Sequence, residues 1–337
     1  MVWQYTAAVA CPLVLSWLLT AVLIRWAPRL GLVDHPAARK VHTRPTPKGG
    51  GLAIYLAFAD GVLLVGLLFA AWPTSRLLIL VGLGLPVVLL GLIDDLRPLS
   101  WKLRLAVQTS VAAAAVFLWP VEASWAVRGL GVFWVVAMLN AMNMLDNMDA
   151  LSGGVAWIAL VFLGLTLLCR ADAWGPAHLA VACLLLLPAI TGFLWFNRPP
   201  ARIFMGDAGS TFLGFVLGLC TFDAALNTPA VPGAWAVPLC LLAVPCYDMT
   251  SVVLIRLAQG RSPFHADKQH LSHRLVELGL SSPPAVAVIW LLGLGSGASG
   301  LALYWTTSWP TVLLVAGQLA CWWLALALLE YGVRRKR

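Results

Sequence analysis

The chain has 337 residues, 61% of them hydrophobic and only 11% charged, with a mean hydropathy of +0.88 and a net charge of +8. Soluble domains carry roughly 45–50% apolar residues, so a soluble globular protein is excluded. Stretches of about 20 apolar residues, each long enough to cross a ~30 Å hydrocarbon core, recur along the whole length and leave no room for a separate soluble domain.

In chain order the expected spans run 3–26, 49–71, 75–93, 102–119, 130–145, 152–169, 176–195, 209–224, 234–257, 284–306 and 309–330. The fifth is short and runs into polar Asn140 and Asn143. The expectation is an all-α integral membrane protein, a single polytopic bundle of about eleven transmembrane helices filling residues 1–337. With the N-terminus outside and the C-terminus cytoplasmic, 19 of the 22 Lys and Arg residues fall on the cytoplasmic side and three (Arg76, Arg128 and Arg170) on the other. That asymmetry is the positive-inside pattern, so the basic balance reads as topology rather than as a nucleic-acid footprint. The seven cysteines lie in or at the ends of apolar spans without CxxC spacing and read as small hydrophobes.

Polar residues are concentrated in the cytoplasmic loops, about 27–48, 94–101, 143–151, 196–208 and 258–283. Asp94 and Asp95 end the third span. Adjacent carboxylates at a membrane boundary repel, and a divalent cation or a basic cluster would offset this; Mg²⁺ is the usual hard cation where one or two carboxylates meet phosphates. A solvated helix cap is the plainer alternative. In NAMNMLDNMDALSGG, Asn143, Asp146 and Asp149 are spaced i, i+3, i+6, which puts them on one face if the helix continues. In FNRPPARIFMGDAGSTFLGF, Asp207 sits in a Gly-Asp-Ala-Gly turn, and Ser210 and Thr211 are candidate caps of a helix end suited to phosphate. The loop GRSPFHADKQHLSHRLVELGLS brings Arg261, His265, Asp267, Lys268, His270, His273 and Arg274 within fourteen residues. Without thiolates or an HExxH run, this favours phosphate or nucleobase binding over structural zinc. The joint reading is a Mg²⁺ and phosphate site at the cytoplasmic surface.

HPAARKVHTRPTPKGGGLAI, GLIDD, NAMNMLDNMDALSGG, IFMGDAGSTFLGF and DKQHLSHRL, in that order from about Val33 to Leu280, resemble the polyprenyl-phosphate N-acetylhexosamine-1-phosphate transferases of glycosyltransferase family 4. The resemblance implies transfer of a sugar 1-phosphate, GlcNAc-1-phosphate in the branch most similar, from a UDP-N-acetylhexosamine to undecaprenyl phosphate. UMP is released, and a lipid diphosphate-linked sugar is left to start cell-envelope glycan synthesis. It implies a multi-pass protein of the bacterial inner membrane with its site on the cytoplasmic face. It further implies Mg²⁺ (or Mn²⁺) as cofactor and the UDP-sugar, undecaprenyl phosphate and the lipid bilayer as partners, with no nucleic acid; a homodimer is left open.

Carried over residue by residue, the resemblance makes Asp207 a Mg²⁺ ligand and Asp94 the carboxylate that deprotonates or orients the lipid phosphate. Asp95 falls in the metal and diphosphate neighbourhood. Asn143 and Asp146 fall on the nucleotide and diphosphate side with Asp149 in support, and Lys48, Lys102, Asn197, Arg261, His270 and His273 are substrate-binding candidates.

Two departures qualify the resemblance. The GlcNAc branch usually reads D-R-Q-H-x-H-H in the last loop, where this chain has Ser272 in place of one histidine. The muramoyl-pentapeptide branch has a histidine run followed by Phe-Glu, absent here, so peptidoglycan lipid I synthesis stands as the alternative. Asp60 and Asp248 fall inside spans at a cost of roughly 2.5–3.5 kcal/mol each at a helix centre. They raise a second alternative, a secondary transporter with an intramembrane ion path. A CDP-alcohol phosphatidyltransferase would need a DGxxAR run, which the sequence lacks.

Overall fold

The structure, a computed structural model, describes residues 2–36, 44–69, 75–168, 177–226, 234–265, 267–305 and 308–334. Arg39, Lys40, Cys169, Arg170 and the basic run 335–337, which enter the readings above, lie outside these. The described chain is helical almost throughout: α1 (Val2–Leu30), α2 (Gly50–Leu68), α3 (Ser75–Leu96), α4 (Trp101–Leu118), α5 (Trp125–Leu145), α6 (Leu151–Leu168), α7 (Ala177–Asn197), α8 (Gly206–Leu226), α9 (Val237–Leu241), α10 (Ala243–Ala258), α11 (Leu271–Glu277), α12 (Ser282–Trp305) and α13 (Trp309–Arg334). Among the described residues nine helices are long and apolar enough to cross a membrane. The two expected spans not among them are helical as well. Lys102, Arg104 and Gln108 dilute the first half of α4, and the ninth span is broken at Leu242 into α9 and α10. The fifth span, expected short, is a full helix of 21 residues, because Ser124 starts it early by accepting from the Val127 N–H at 3.4 Å.

α8 is the axis of the bundle, buried along nearly its whole length and packed between α3 and α5. Glycines let these backbones touch. A Cβ on Gly91 of α3 would stand 2.3 Å from the Ala208 nitrogen, and one on Gly51 of α2 would stand 2.0 Å from the Gly209 nitrogen. Small residues at such crossings are the usual means of close helix approach where lipid offers no hydrophobic drive. The outward surfaces carry exposed Leu63, Leu67, Leu130, Phe133 and Leu314, as lipid-facing helices require.

At the end of α8 far from Asp207, Asp223 is buried and accepts from Trp119 Nε1 at 2.7 Å and from Arg76 Nε at 3.0 Å. Arg128 donates to the Val116 and Val121 carbonyls at 2.6 Å each. Arg76 and Arg128, the described arginines of this sparsely charged side, are therefore engaged in holding helix ends together.

A short feature absent from the sequence reading is an antiparallel pair, β1 (Val33–Asp34) with β2 (Thr46–Pro47), Val33 facing Pro47. Beyond it Lys48 N donates to Leu32 O at 2.9 Å, Phe204 N donates to Pro47 O at 2.8 Å, and the first free N–H groups of α2, on Gly50 and Gly51, donate to Phe204 O and Met205 O at 3.0 and 2.9 Å. These bonds lay the segment before α2 against the turn that begins α8.

Candidate active site

Lys48, fixed by that segment, lies 3.4 Å from Asp95 Oδ1 in an ion pair whose carboxylate side is almost fully buried. Asp95 Oδ2 faces the start of α8, 3.5 Å from the Ala208 N–H. Gly206 is essential to this approach. Its φ of +76° belongs to glycine, and a Cβ there would stand 2.5 Å from Asp95 Oδ2. Ser210 and Thr211 do not cap α8 as expected. The helix already starts at Gly206, so their hydroxyls donate back to the carbonyls of Gly206 and Asp207, one turn earlier.

Asp94 and Asp207 meet across a guanidinium. Arg104 Nη1 is 2.6 Å from Asp94 Oδ2 and 3.4 Å from Asp207 Oδ2, while Asp94 Oδ1 accepts from Leu99 N at 2.6 Å and so closes the α3–α4 turn. Asp207 Oδ1 accepts from Asn143 Nδ2 at 2.9 Å, and the same nitrogen lies 3.2 Å from Ser210 Oγ. Lys102 is exposed, its ammonium 5.8 Å from the centre of the Trp101 ring. Of the two basic residues of α4, the one that reaches the carboxylates is therefore Arg104. Residues two apart on a helix point to roughly opposite sides, and choosing between them required the α3–α4 turn.

The helix does not continue through Asn143, Asp146 and Asp149 as the i, i+3, i+6 reading supposed. α5 ends at Leu145, Asp146 is its C-cap, and the chain turns through Ala150 at a φ of +59°. The turn is held from outside. Asn197, buried, donates to Ile203 O at 2.8 Å and accepts from Ala150 N at 2.9 Å, while Asp149 Oδ2 accepts from Ala201 N at 2.9 Å. Both residues thus tie the 146–150 and 198–203 loops together. Asp146 faces the cluster. Burial, and then the charges of Asp207 and Asp95, push its carboxyl well above the usual range, against the pull of a hydrogen bond from the Gly206 backbone.

Asp248, on α10, is buried against the last loop and finds its partners there. Its Oδ2 lies 2.8 Å from His270 Nδ1 and its Oδ1 accepts from Leu271 N at 2.6 Å, so it orients the imidazole and caps α11 in one contact. Asp60, the other intramembrane acid, lies on the exposed side of α2. Ser272, the departure from the histidine pattern, donates to Asn147 Oδ1 at 2.5 Å and docks the loop beside Asp146. Buried Arg256 grips Asp267 through Nε and Nη2 at 3.0 and 3.1 Å. Burial alone would raise Asp267, but this guanidinium and the Gln269 N–H hold it below the usual carboxylate range. Arg261 is exposed and its backbone N–H closes the turn on Arg256 O. His273, its ring centre 6.3 Å from that of His270, is pushed down to about 4 by burial, then by the neighbouring His270 and Lys268, so it is neutral at ordinary pH.

Of the expected residues the structure therefore gathers Lys48, Asp94, Asp95, Asn143, Asp146 and Asp207 at one end of the bundle. It puts His270 and His273 in a loop joined to them through Ser272, and sets Asp149 and Asn197 behind as supports. Arg104, Arg256 and Asp248 are additions; only Asp248 announced itself, as an acid inside a span. Among the described residues no three His, Cys, Asp or Glu side chains close on one point as a complete metal cage. The donor set is instead four carboxylates (Asp94, Asp95, Asp146 and Asp207) facing two cations, Lys48 and Arg104. That excess of negative charge suits a cation sharing its coordination with substrate phosphates.

Residues 77–225 match the model of glycosyl transferase family 4. The chain is similar to the probable undecaprenyl-phosphate N-acetylglucosaminyl 1-phosphate transferase of Bacillus subtilis (strain 168), 31% identical over 88% of this chain and 84% of the relative. It is also similar to the decaprenyl-phosphate N-acetylglucosaminephosphotransferase of Mycolicibacterium smegmatis, 32% identical over 78% and 73%, and to the undecaprenyl-phosphate alpha-N-acetylglucosaminyl 1-phosphate transferase of Escherichia coli (strain K12), 30% identical over 79% and 74%. With the acid cluster falling inside the matched region and likeness extending over most of the chain, this protein belongs to glycosyl transferase family 4.

Proposed function

We propose that the chain transfers GlcNAc-1-phosphate from UDP-GlcNAc to undecaprenyl phosphate at the cytoplasmic face of the bacterial inner membrane. An oxygen of the lipid phosphate bonds to the phosphorus carrying the sugar, the bond from that phosphorus to the oxygen shared with UMP breaks, and UMP leaves. The observation that carries this reading is the convergence of Asp94, Asp95 and Asp207 with Arg104 and Lys48 at one end of an apolar bundle, where a lipid-borne phosphate and a water-borne nucleotide can meet. The names of relatives with 30–32% identity, two printed for undecaprenyl phosphate and one for decaprenyl phosphate, support a polyprenyl-phosphate acceptor and an N-acetylglucosaminyl phosphate as the group transferred.

Asp207 and Asp95 are the ligands we assign to Mg²⁺, which when bound neutralises charge on the diphosphate oxygens. Arg104 orients Asp94 and Asp207, Lys48 offsets Asp95, and Asn143 fixes the Asp207 carboxylate. Asp94, facing the cleft, is placed to accept a proton from the lipid phosphate or to orient it. The reading includes eleven crossings with an external N-terminus, supported by the 19 to 3 division of Lys and Arg.

The experiment is incubation of the purified chain with labelled UDP-GlcNAc, UDP-GalNAc or UDP-muramoyl-pentapeptide and undecaprenyl phosphate, with identification of the lipid product. A GlcNAc-diphospholipid with release of UMP is expected. Equal turnover of the muramoyl donor would overturn the branch, and no lipid product from any UDP-sugar would overturn the function.

A further inference from the structure

Below the Asp94–Arg104–Asp207 contact a cleft continues along α3 and α4, walled by Val87, Leu90 and Gly91 and lined at depth by Gln108 and Asn140. The orientation of these two amides follows from one carbonyl. Asn140 lies 2.8 Å from Val136 O, which can only accept, so the Asn140 atom facing it is the nitrogen. That nitrogen also donates to Gln108 at 2.9 Å, so Gln108 presents its oxygen to Asn140 and its nitrogen elsewhere. Gln108 is 4% exposed, and among the described residues nothing accepts from that nitrogen. The side chain lines the cleft, so this donor is open to whatever occupies it.

We propose that Gln108, held by Asn140, donates a hydrogen bond to a phosphate oxygen of the lipid acceptor and is an acceptor-binding residue. This rests on the transferase reading above. Three observations favour the acceptor over the nucleotide sugar. Gln108 is one helical turn along α4 from Arg104, and among the described residues the cleft that both line includes neither Lys48, Asp146 nor the histidines of the last loop. The opposite wall, Val87 and Leu90, is aliphatic and suits the first carbons of an isoprenoid. A neutral N–H beside Arg104 also adds a bond to an anion without binding the neighbouring carboxylates more tightly than the phosphate.

The test is steady-state kinetics of the full chain in detergent, with each substrate varied while the other saturates. Gln108→Met keeps the bulk and removes the donor; Gln108→Glu keeps the shape and faces the phosphate with an acceptor. The KM for polyprenyl phosphate is expected to rise about 10-fold in Gln108→Met, the loss of one bond to a charged group, and at least as much in Gln108→Glu, with the KM for UDP-GlcNAc within twofold. An acceptor KM within twofold in both variants, or a donor KM rising in parallel, would overturn the assignment. Should neither variant fold, the side-chain amide resonances of Gln108 in the wild-type protein decide. Displacement by polyprenyl phosphate but not by UDP-GlcNAc supports the proposal, and no displacement overturns it. A wild-type chain inactive with every UDP-sugar would instead defeat the transferase reading.

Discussion

Removing Arg104 while keeping its bulk, as in Arg104→Met, leaves Asp94, Asp95, Asp146 and Asp207 facing Lys48 alone. The structure sets the scale. Nη1 makes a 2.6 Å charge-assisted contact to Asp94 and a longer 3.4 Å one to Asp207, and bonds of this type contribute about 1.5–3 kcal/mol. The Arg104 side chain is 36% exposed, so solvent screening argues for the lower end, about 1.5 kcal/mol of stability. Turnover should fall much further, about 10²–10³-fold, because a preorganised charge beside the transferring phosphoryl group is lost together with the orientation of two carboxylates. Arg104→Lys keeps a point charge but cannot bridge both acids, and an intermediate loss of about 10-fold is expected. Lys102→Met is the control: an exposed side chain lying over Trp101 should change turnover by no more than about 3-fold and stability by less than about 0.5 kcal/mol. Release of labelled UMP and thermal unfolding in detergent read the two quantities. If Lys102→Met is as damaged as Arg104→Met, the assignment of the basic partner from the α3–α4 turn is wrong.

Four other outcomes are expected. Asp207→Asn should lower turnover about 10²–10³-fold at ordinary Mg²⁺ with little loss of thermal stability, since the amide keeps the size but not the charge; near-wild-type activity would rule out a metal role. Asp248→Asn should lower turnover about 10–100-fold by presenting an N–H to His270 Nδ1 and switching which ring nitrogen carries the proton, and unchanged kcat would show that the ring's orientation is immaterial. Because His273 titrates at about 4 when folded and at its higher ordinary value when unfolded, its contribution to stability is present above the unfolded value and is lost as pH falls through that window. The thermal midpoint of wild type should therefore drop more steeply between pH 7 and 5 than that of His273→Gln, and parallel profiles would refute the shift. A reporter fused after Arg337 should be active in the cytoplasm; activity confined to the periplasm would reverse the topology.

How far the sequence reaches depends on the distance over which an interaction acts. Span positions were legible because hydropathy is a property of contiguous residues, and even the fifth span needed only its Ser124 cap to be completed. Asp94, Asp95 and Asp207 were legible because a carboxylate at a membrane boundary needs a local reason to be there. The break at Leu242 was hidden because the residues on both sides of it, Val237–Leu241 and Ala243–Val244, are apolar, whereas the expected fourth span, 102–119, nearly coincides with α4. The error at Asn143, Asp146 and Asp149 has a related origin. Helical spacing held for the first of them, but the turn that follows is imposed by Asn197 and Asp149 reaching the loop before α8, some 50 residues away. Arg104 over Lys102, Arg256 for Asp267 and Ser272 for Asn147 are likewise pairings across separate elements.

The two ionic ties of α8 make it, with α3, a braced frame. Asp223 is joined to Arg76 at one end and Asp207 is linked to Asp94 through Arg104 at the other. The tied positions are separated by about 27 Å along α3 and about 24 Å along α8 at 1.5 Å per residue, close to the depth of the hydrocarbon layer. Antiparallel helices fastened at both ends cannot slide past one another to match a thinner or thicker bilayer; they must tilt together. Hydrophobic mismatch is then absorbed as a change of slope of the pair, the carboxylates of α3 and α8 stay in register, and the distance from the reacting phosphates to the membrane surface varies while the geometry among the reacting groups does not.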